Sequence, residues 1–142
     1  MNVVVDTNVI VAALIQDGIV RRLLAENPGV FMTPESCIRE AWERRGAWNR
    51  RSIPDARLSE ALAWLAQEVL VVEPQSAFRH REGEASALTP DPDDVPVIAL
   101  ALQVRNEGVW TFNTKDFSRP ELLARIRVLT TDDVRSLLAE AG

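Results

Sequence analysis

Met1-Asn2-Val3-Val4-Val5-Asp6-Thr7-Asn8-Val9-Ile10-Val11-Ala12 opens the chain, and it reads as a strand turning at once into a helix. Three consecutive valines make a short strand apolar on both faces, which suits the middle of a parallel sheet. The strand stops at Asp6. Thr7 and Asn8 read as capping residues, and Val9 to Ile15 then follows a helix-compatible apolar pattern. One carboxylate is thereby delivered to the C-terminal edge of the strand, where open α/β sheets place ligands. An acid there is costly unless something cationic meets it. Two readings stand at this point: Asp6 meets a divalent metal whose other ligands come from elsewhere in the chain, or it simply caps the first helix.

The alternation continues outward from this segment. Ile19 to Glu26 reads as a second helix ended by Asn27-Pro28-Gly29, and Val30 to Thr33 as a strand. A helix then starts at Thr33 or Glu35 with Pro34 in its first turn, carrying an apolar stripe of Cys37, Ile38, Ala41 and Trp42. Glu40 lies at the border of that stripe. Gly46 to Pro54 reads as an exposed loop, Asp55 to Glu68 as an amphipathic helix with Trp64 in the core, and Val69 to Glu73 as a strand. Gln75 to Pro92 reads as polar and loop-like and holds the only histidine, His80, a surface residue. Asp94 is placed as N-cap of an apolar helix from Val95 to Val104. Val109 to Phe112 and Ile126 to Leu129 read as strands, Glu121 to Ala124 as a short helix, and Thr131 to Asp133 as the cap of a terminal helix through Leu138. This pattern predicts one domain over residues 1–142, a three-layer α/β/α sandwich around a mainly parallel sheet.

A chain of 142 residues, 46% hydrophobic and 26% charged, is long enough to bury a real core. No apolar run approaches the roughly 20 residues of a membrane span, and Asp6 interrupts the N-terminus before a signal peptide could form. A cytoplasmic location is the expectation. The single cysteine, Cys37, excludes an intramolecular disulfide framework and a Cys-rich zinc site. A net charge of −5 argues against a generic basic nucleic-acid binder but not against local basic patches. All the basic residues except Lys115 are arginines, clustered at Arg21-Arg22, Arg44-Arg45, Arg50-Arg51 and Arg79/Arg81. Arginine suits forked phosphate contacts; an arginine-rich composition of solvated faces would look the same.

Four acids fall at comparable places. Asp6 ends the first strand, Glu40 lies on the helix after the second, Asp94 precedes an apolar helix, and Asp116 follows a later strand. In a right-handed α/β sheet those places share one edge. Carboxylates converging without lysines repel one another and acquire raised pKa values. Mg²⁺ or Mn²⁺ relieves the repulsion, because both prefer oxygen ligands. Such a cluster suits metal-assisted phosphodiester hydrolysis, with one metal or two about 3.5–4 Å apart. No Ser/His/Asp arrangement can be built around one histidine, and no Gly-rich phosphate loop is present.

In these features the chain resembles the PIN-domain ribonucleases, the fold used by VapC-type toxins of toxin–antitoxin pairs. The likeness lies in Val-Val-Val-Asp6-Thr7-Asn8-Val9, in Glu40, and in Asp94 ahead of Ala101-Leu102. It continues in Thr111-Phe112-Asn113 with Lys115-Asp116-Phe117, and in the final strand running into Leu129-Thr130-Thr131. The resemblance implies an acidic site of Asp6, Glu40, Asp94 and Asp116 that binds Mg²⁺ or Mn²⁺. Asn8 and Thr111 would orient the carboxylates, and Asn113 would contact the metal's water. Members of the family often carry an acid where Asn113 stands, so the fourth ligand lies between Asn113 and Asp116. Asp93 is the alternative to Asp94, and Glu43 to Glu40.

The expected activity is endoribonucleolytic, on single-stranded or looped RNA. Arg44, Arg45, Arg50 and Arg51 would guide the backbone, and Trp48 would stack on a base. The expected partners are RNA, a second copy of the chain, and an antitoxin that silences the site by placing a basic side chain among the acids. Two other readings are a PIN-like module that binds RNA or protein without cleaving, and a haloacid-dehalogenase-like phosphatase with Asp6 as nucleophile. The latter expects a second Asp where Asn8 stands.

Overall fold

In the computed structural model, which describes residues 1–141, the three valines of the opening strand are fully buried. Gly142, the end of the domain span read from sequence, lies outside the described residues. The strands are Val3–Val5 (β1), Phe31–Pro34 (β2), Val71–Glu73 (β3), Val109–Trp110 (β4) and Val128–Leu129 (β5). They form one five-stranded sheet in the order β3-β2-β1-β4-β5, with every pairing parallel. β1 sits at its centre, with Val3 opposite Phe31 and Val5 opposite Trp110. A strand that is apolar on both faces needs cover on both, and the central position supplies it.

Five helices precede β3 or its approach: Thr7–Ile15 (α1), Ile19–Glu26 (α2), Glu35–Glu43 (α3), Arg45–Trp48 (α4) and Asp55–Trp64 (α5). Glu82–Ser86 (α6), Val95–Gln103 (α7), Pro120–Leu123 (α8) and Thr131–Ala141 (α9) follow it. The chain winds outward from β1 to β3, then returns to β4 on the other side of β1. Right-handed crossovers in opposite directions put their helices on opposite faces. α1 packs on α2, α3 and α5, while α7 packs on α6 and across β1 and β2, giving the three-layer α/β/α sandwich. The winding direction reverses between β1 and β4, the kind of switch point at which open α/β sheets bind ligands.

Several elements differ from expectation, each for a local reason. Asp6 is the N-cap of α1, as one of the two readings of that residue expects, and Thr7 and Asn8 are not: its backbone is still extended and its carboxylate accepts the Thr7 N–H. Pro34 pairs with Glu73 as the last residue of β2 and precedes α3 instead of sitting in its first turn. Part of the loop expected from Gly46 to Pro54 is the helical turn α4, fixed by the Trp48 indole N–H donating to Ala41 O at 2.9 Å. Beyond it, Asn49 clips the turn by exchanging side-chain bonds with the Ile53 backbone, and Ser52 takes a left-handed φ of 52°. α5 widens into a π turn over Leu65–Val69, which lets both of its end residues be buried and starts β3 only at Val71. Trp64 is on the outer side, 40% exposed, not in the core.

The segment 75–92 is not a polar loop. Phe78, Ala85 and Leu88 are buried, and its short helical turns pack against α7. β4 and β5 are shorter than expected, leaving Thr111-Phe112 and Ile126 outside the ladders. Gly108 explains how closely these strands approach. Its φ is +146°, and a Cβ there would lie 2.7 Å from Arg127 O. Thr130, not Thr131, caps α9: its hydroxyl accepts from Asp133 N–H while Asp133 Oδ2 accepts from Thr130 N–H.

Candidate metal centre

At the switch point the sheet edge opens into a cavity of about 330 Å³, walled by Asp6, Thr7, Asn8, Val11, Glu40, Arg44, Trp48, Asp91, Asp93, Asp94 and Asn113. Asp6 arrives because β1 ends on it. Its Oδ1 accepts the Thr7 backbone N–H at 2.8 Å, and its Oδ2 accepts the Thr111 hydroxyl at 2.9 Å. Thr111 directly follows β4, so this bond ties together the ends of adjacent strands. The same hydroxyl oxygen accepts from Asn8 Nδ2 at 3.2 Å and from the Asn113 backbone N–H at 3.1 Å. Asn8 Oδ1 in turn accepts the Phe112 N–H at 3.2 Å. With two donors pointed at it, the threonine must give its one proton to Asp6.

The second group of acids comes from the chain entering α7. Pro92–Asp94 is a single 3₁₀ turn, capped by Asp91, whose Oδ1 accepts the Asp93 N–H at 2.9 Å. At three residues per turn, positions i and i+3 eclipse. Asp91 and Asp94 therefore face the same way, and Asp93 turns along the cavity wall toward Arg44. Asp94 occupies the N-cap position of α7 but makes no capping bond; its Oδ2 is buried with no hydrogen-bond partner. Asp116 enters from the loop after β4, held by Asn113 Nδ2 donating to its Oδ2 at 2.6 Å. Asp91, Asp94 and Asp116 each bring a carboxylate oxygen to within 4.8 Å of the others.

This crowding raises the acids. Burial pushes Asp94 up to about 7, with the charges of Asp6, Asp91, Asp116 and Asp93 adding to it. Asp6 is raised by burial as well, against the opposing hydrogen bonds from Thr111 and Thr7. Glu40 is raised by burial, opposed by the Arg44 guanidinium. An unpartnered buried carboxylate oxygen among other carboxylates has no other partner in the protein, and an all-oxygen donor set suits a hard divalent cation. The residues present therefore fit a metal of the Mg²⁺ or Mn²⁺ type. Cys37 offers no alternative ligand: burial pushes its thiol up to about 12, so it stays protonated. His80 is exposed, in contact with Gln103, and lies outside the cavity wall.

The structure thus brings Asp6, Glu40, Asp94 and Asn113 into one cavity and sets Asp116 against Asp94. Asn8 and Thr111 are bonded to one another behind Asp6. Asp93, the alternative to Asp94, points to Arg44, while Glu43, the alternative to Glu40, is exposed and outside the wall. Of Asn113 and Asp116, the acid joins the cluster and the amide holds it. Asp91 is the member that sequence reasoning missed.

Among the candidates for RNA contact, Arg44 and Trp48 line the cavity. Arg45 lies away from it, paired with Asp55 at 3.0 Å and stacked 3.9 Å over the Trp42 ring. Arg50 and Arg51 are exposed on the turn after α4 and outside the cavity wall, with Arg51 Nη1 donating to Ile15 O at the far end of α1 at 3.3 Å.

A family model described as PIN domain matches residues 4–136. The chain belongs to the PIN-domain family. No curated protein matches it. PIN domains are typically metal-dependent nucleases, and in this PIN domain three clustered acids are placed where they could hold the ion. Among the described residues no helix is long and apolar enough to cross a membrane.

Proposed function

We propose that this PIN domain, as one unit over the whole chain, is an Mg²⁺- or Mn²⁺-dependent endoribonuclease. The carrying observation is Asp94: its Oδ2 is buried with no protein partner, and its carboxylate brings an oxygen to within 4.8 Å of those of Asp91 and Asp116. In this reading Asp91, Asp94 and Asp116 hold the cation, and Asp6 and Glu40 complete the acidic wall. When bound, the ion supplies a positive centre that activates water and stabilises charge on the phosphorus oxygens. Thr111, itself bonded by Asn8, keeps Asp6 aimed into the cavity, and Asn113 holds Asp116 beside Asp91 and Asp94. Glu40, half-buried and raised, is suited to orient the attacking water and take its proton. A single-stranded or looped RNA crosses the mouth past Trp48.

The finer assignment, toxin of an antitoxin pair working as a cytoplasmic homodimer, is supported by the likeness to VapC-type chains. The wall also already accommodates a guanidinium on Glu40 and Asp93, which matches silencing by a basic side chain of a partner. Purified protein is predicted to cleave single-stranded RNA with Mg²⁺ or Mn²⁺ and to stop in EDTA, and Asp6→Asn to lower the rate by at least about 100-fold. Cleavage that survives both chelation and the substitution would contradict the proposal. RNA binding without cleavage under any metal would favour the non-catalytic module instead.

A further inference from the structure

We infer that Arg44 grips a substrate phosphate at the mouth of the cavity, and that Asp93 holds its guanidinium in reserve until RNA arrives. This deepens the ribonuclease reading and rests on it. The wall presents Asp6, Glu40, Asp91, Asp93 and Asp94, and among the described residues Arg44 is the one cation in it. A polyanion approaching such a wall needs a positive group beyond whatever the metal supplies. Arg44 stands at the C-terminal end of α3, one turn after Glu40, so the helix fixes where its side chain starts. Its Nη2 donates to Asp93 Oδ2 at 2.8 Å and its Nη1 to Glu40 Oε1 at 3.3 Å. The arginine side chain is 57% exposed and that of Asp93 49%.

Ion pairs this open to water are weak and exchange readily. A phosphodiester carries the same single charge as a carboxylate but presents two oxygens to the guanidinium fork, where Asp93 and Glu40 offer one each. Asp93 gains a role here that neither capping nor metal binding gives it. The 3₁₀ turn that points Asp91 and Asp94 inward turns Asp93 toward Arg44, across 49 residues of sequence. It therefore restrains the arginine in the free protein and is a competitor that the RNA must displace.

A double-mutant cycle reads this directly. The dissociation constant of a fluorescein-labelled single-stranded RNA is measured by anisotropy in EDTA at low salt. The proteins are wild type, Arg44→Gln, Asp93→Asn and the double variant, each first checked by thermal melting. Arg44→Gln is expected to weaken binding about tenfold and to reduce the salt slope by about one phosphate contact. Asp93→Asn alone is expected to tighten binding about threefold, and to do nothing once Arg44 is gone. Arg44→Lys, which keeps the charge without the fork, is expected to fall between wild type and Arg44→Gln. It also carries the test if the glutamine variant does not fold. Equal tightening by Asp93→Asn in both backgrounds would mean a general charge effect and would overturn the inference. So would an unchanged constant in Arg44→Gln. Wild-type protein that neither binds nor cleaves RNA would remove the ribonuclease reading itself, a failure distinct from either.

Discussion

Thr111 does more for the centre than its place outside the ladder suggests. Its hydroxyl collects two donors and hands its own proton to Asp6, so one side chain sets the direction of the carboxylate at the end of β1. Thr111→Val keeps the shape and removes the bond. RNA cleavage by the folded protein should fall about 10- to 100-fold, and the melting temperature should drop as well because Asp6, Asn8 and the Asn113 N–H all lose a partner; an unchanged rate would show that Asp6 is oriented by other means. At this scale the sequence was only partly legible. Asp6, Asp94 and Asp116 stood out because they follow or precede an element, and Glu40 because it borders the apolar stripe of its helix. Asp91 did not, because in Asp91-Pro92-Asp93-Asp94 composition alone cannot say which acids face inward. The 3₁₀ turn decides that, and nothing in the run distinguishes it from an ordinary loop before a helix.

Among elements, the strands and long helices were legible from their patterns, since β1 is apolar throughout and α3 carries its stripe at helical spacing. The segment 75–92 was not. Its three anchors, Phe78, Ala85 and Leu88, are scattered among Arg79, His80, Arg81, Glu82 and Glu84, and the polar majority hides them. Phe78 is 1% exposed, so Phe78→Ala is predicted to cost about 3–5 kcal/mol in urea unfolding. A cost under about 1 kcal/mol would mean the segment is only loosely seated. The π turn at Leu65–Val69 was equally hidden. Its buried residues Leu65 and Val69 stand four apart, the spacing of an ordinary α-helix, so nothing in the apolar pattern marks the widening.

For the molecule as a whole, the parallel sheet concentrates charge at one edge, and that edge makes stability depend on pH and metal. Asp94 titrates near 7 in the fold and near about 4 in the unfolded chain. Between those values the folded protein holds a proton the unfolded chain has lost, so rising pH favours unfolding. Asp6 and Glu40, both raised, act in the same direction. Asp55, Glu84 and Asp133 are lowered by their partners, and their contribution is lost only on acidification below that window. Melting temperature in EDTA should therefore fall from about pH 5 to about pH 8, and saturating Mg²⁺ should flatten the decline by binding the folded state alone. An identical slope with and without metal would contradict this.

Calorimetric titration of Mn²⁺ into wild-type protein, Asp94→Asn and Glu43→Gln at neutral pH bears on the metal centre without reference to substrate. Wild type and Glu43→Gln are expected to bind, and Asp94→Asn to bind at least about tenfold more weakly. Equal affinity in all three, or no binding by the wild type, would contradict this.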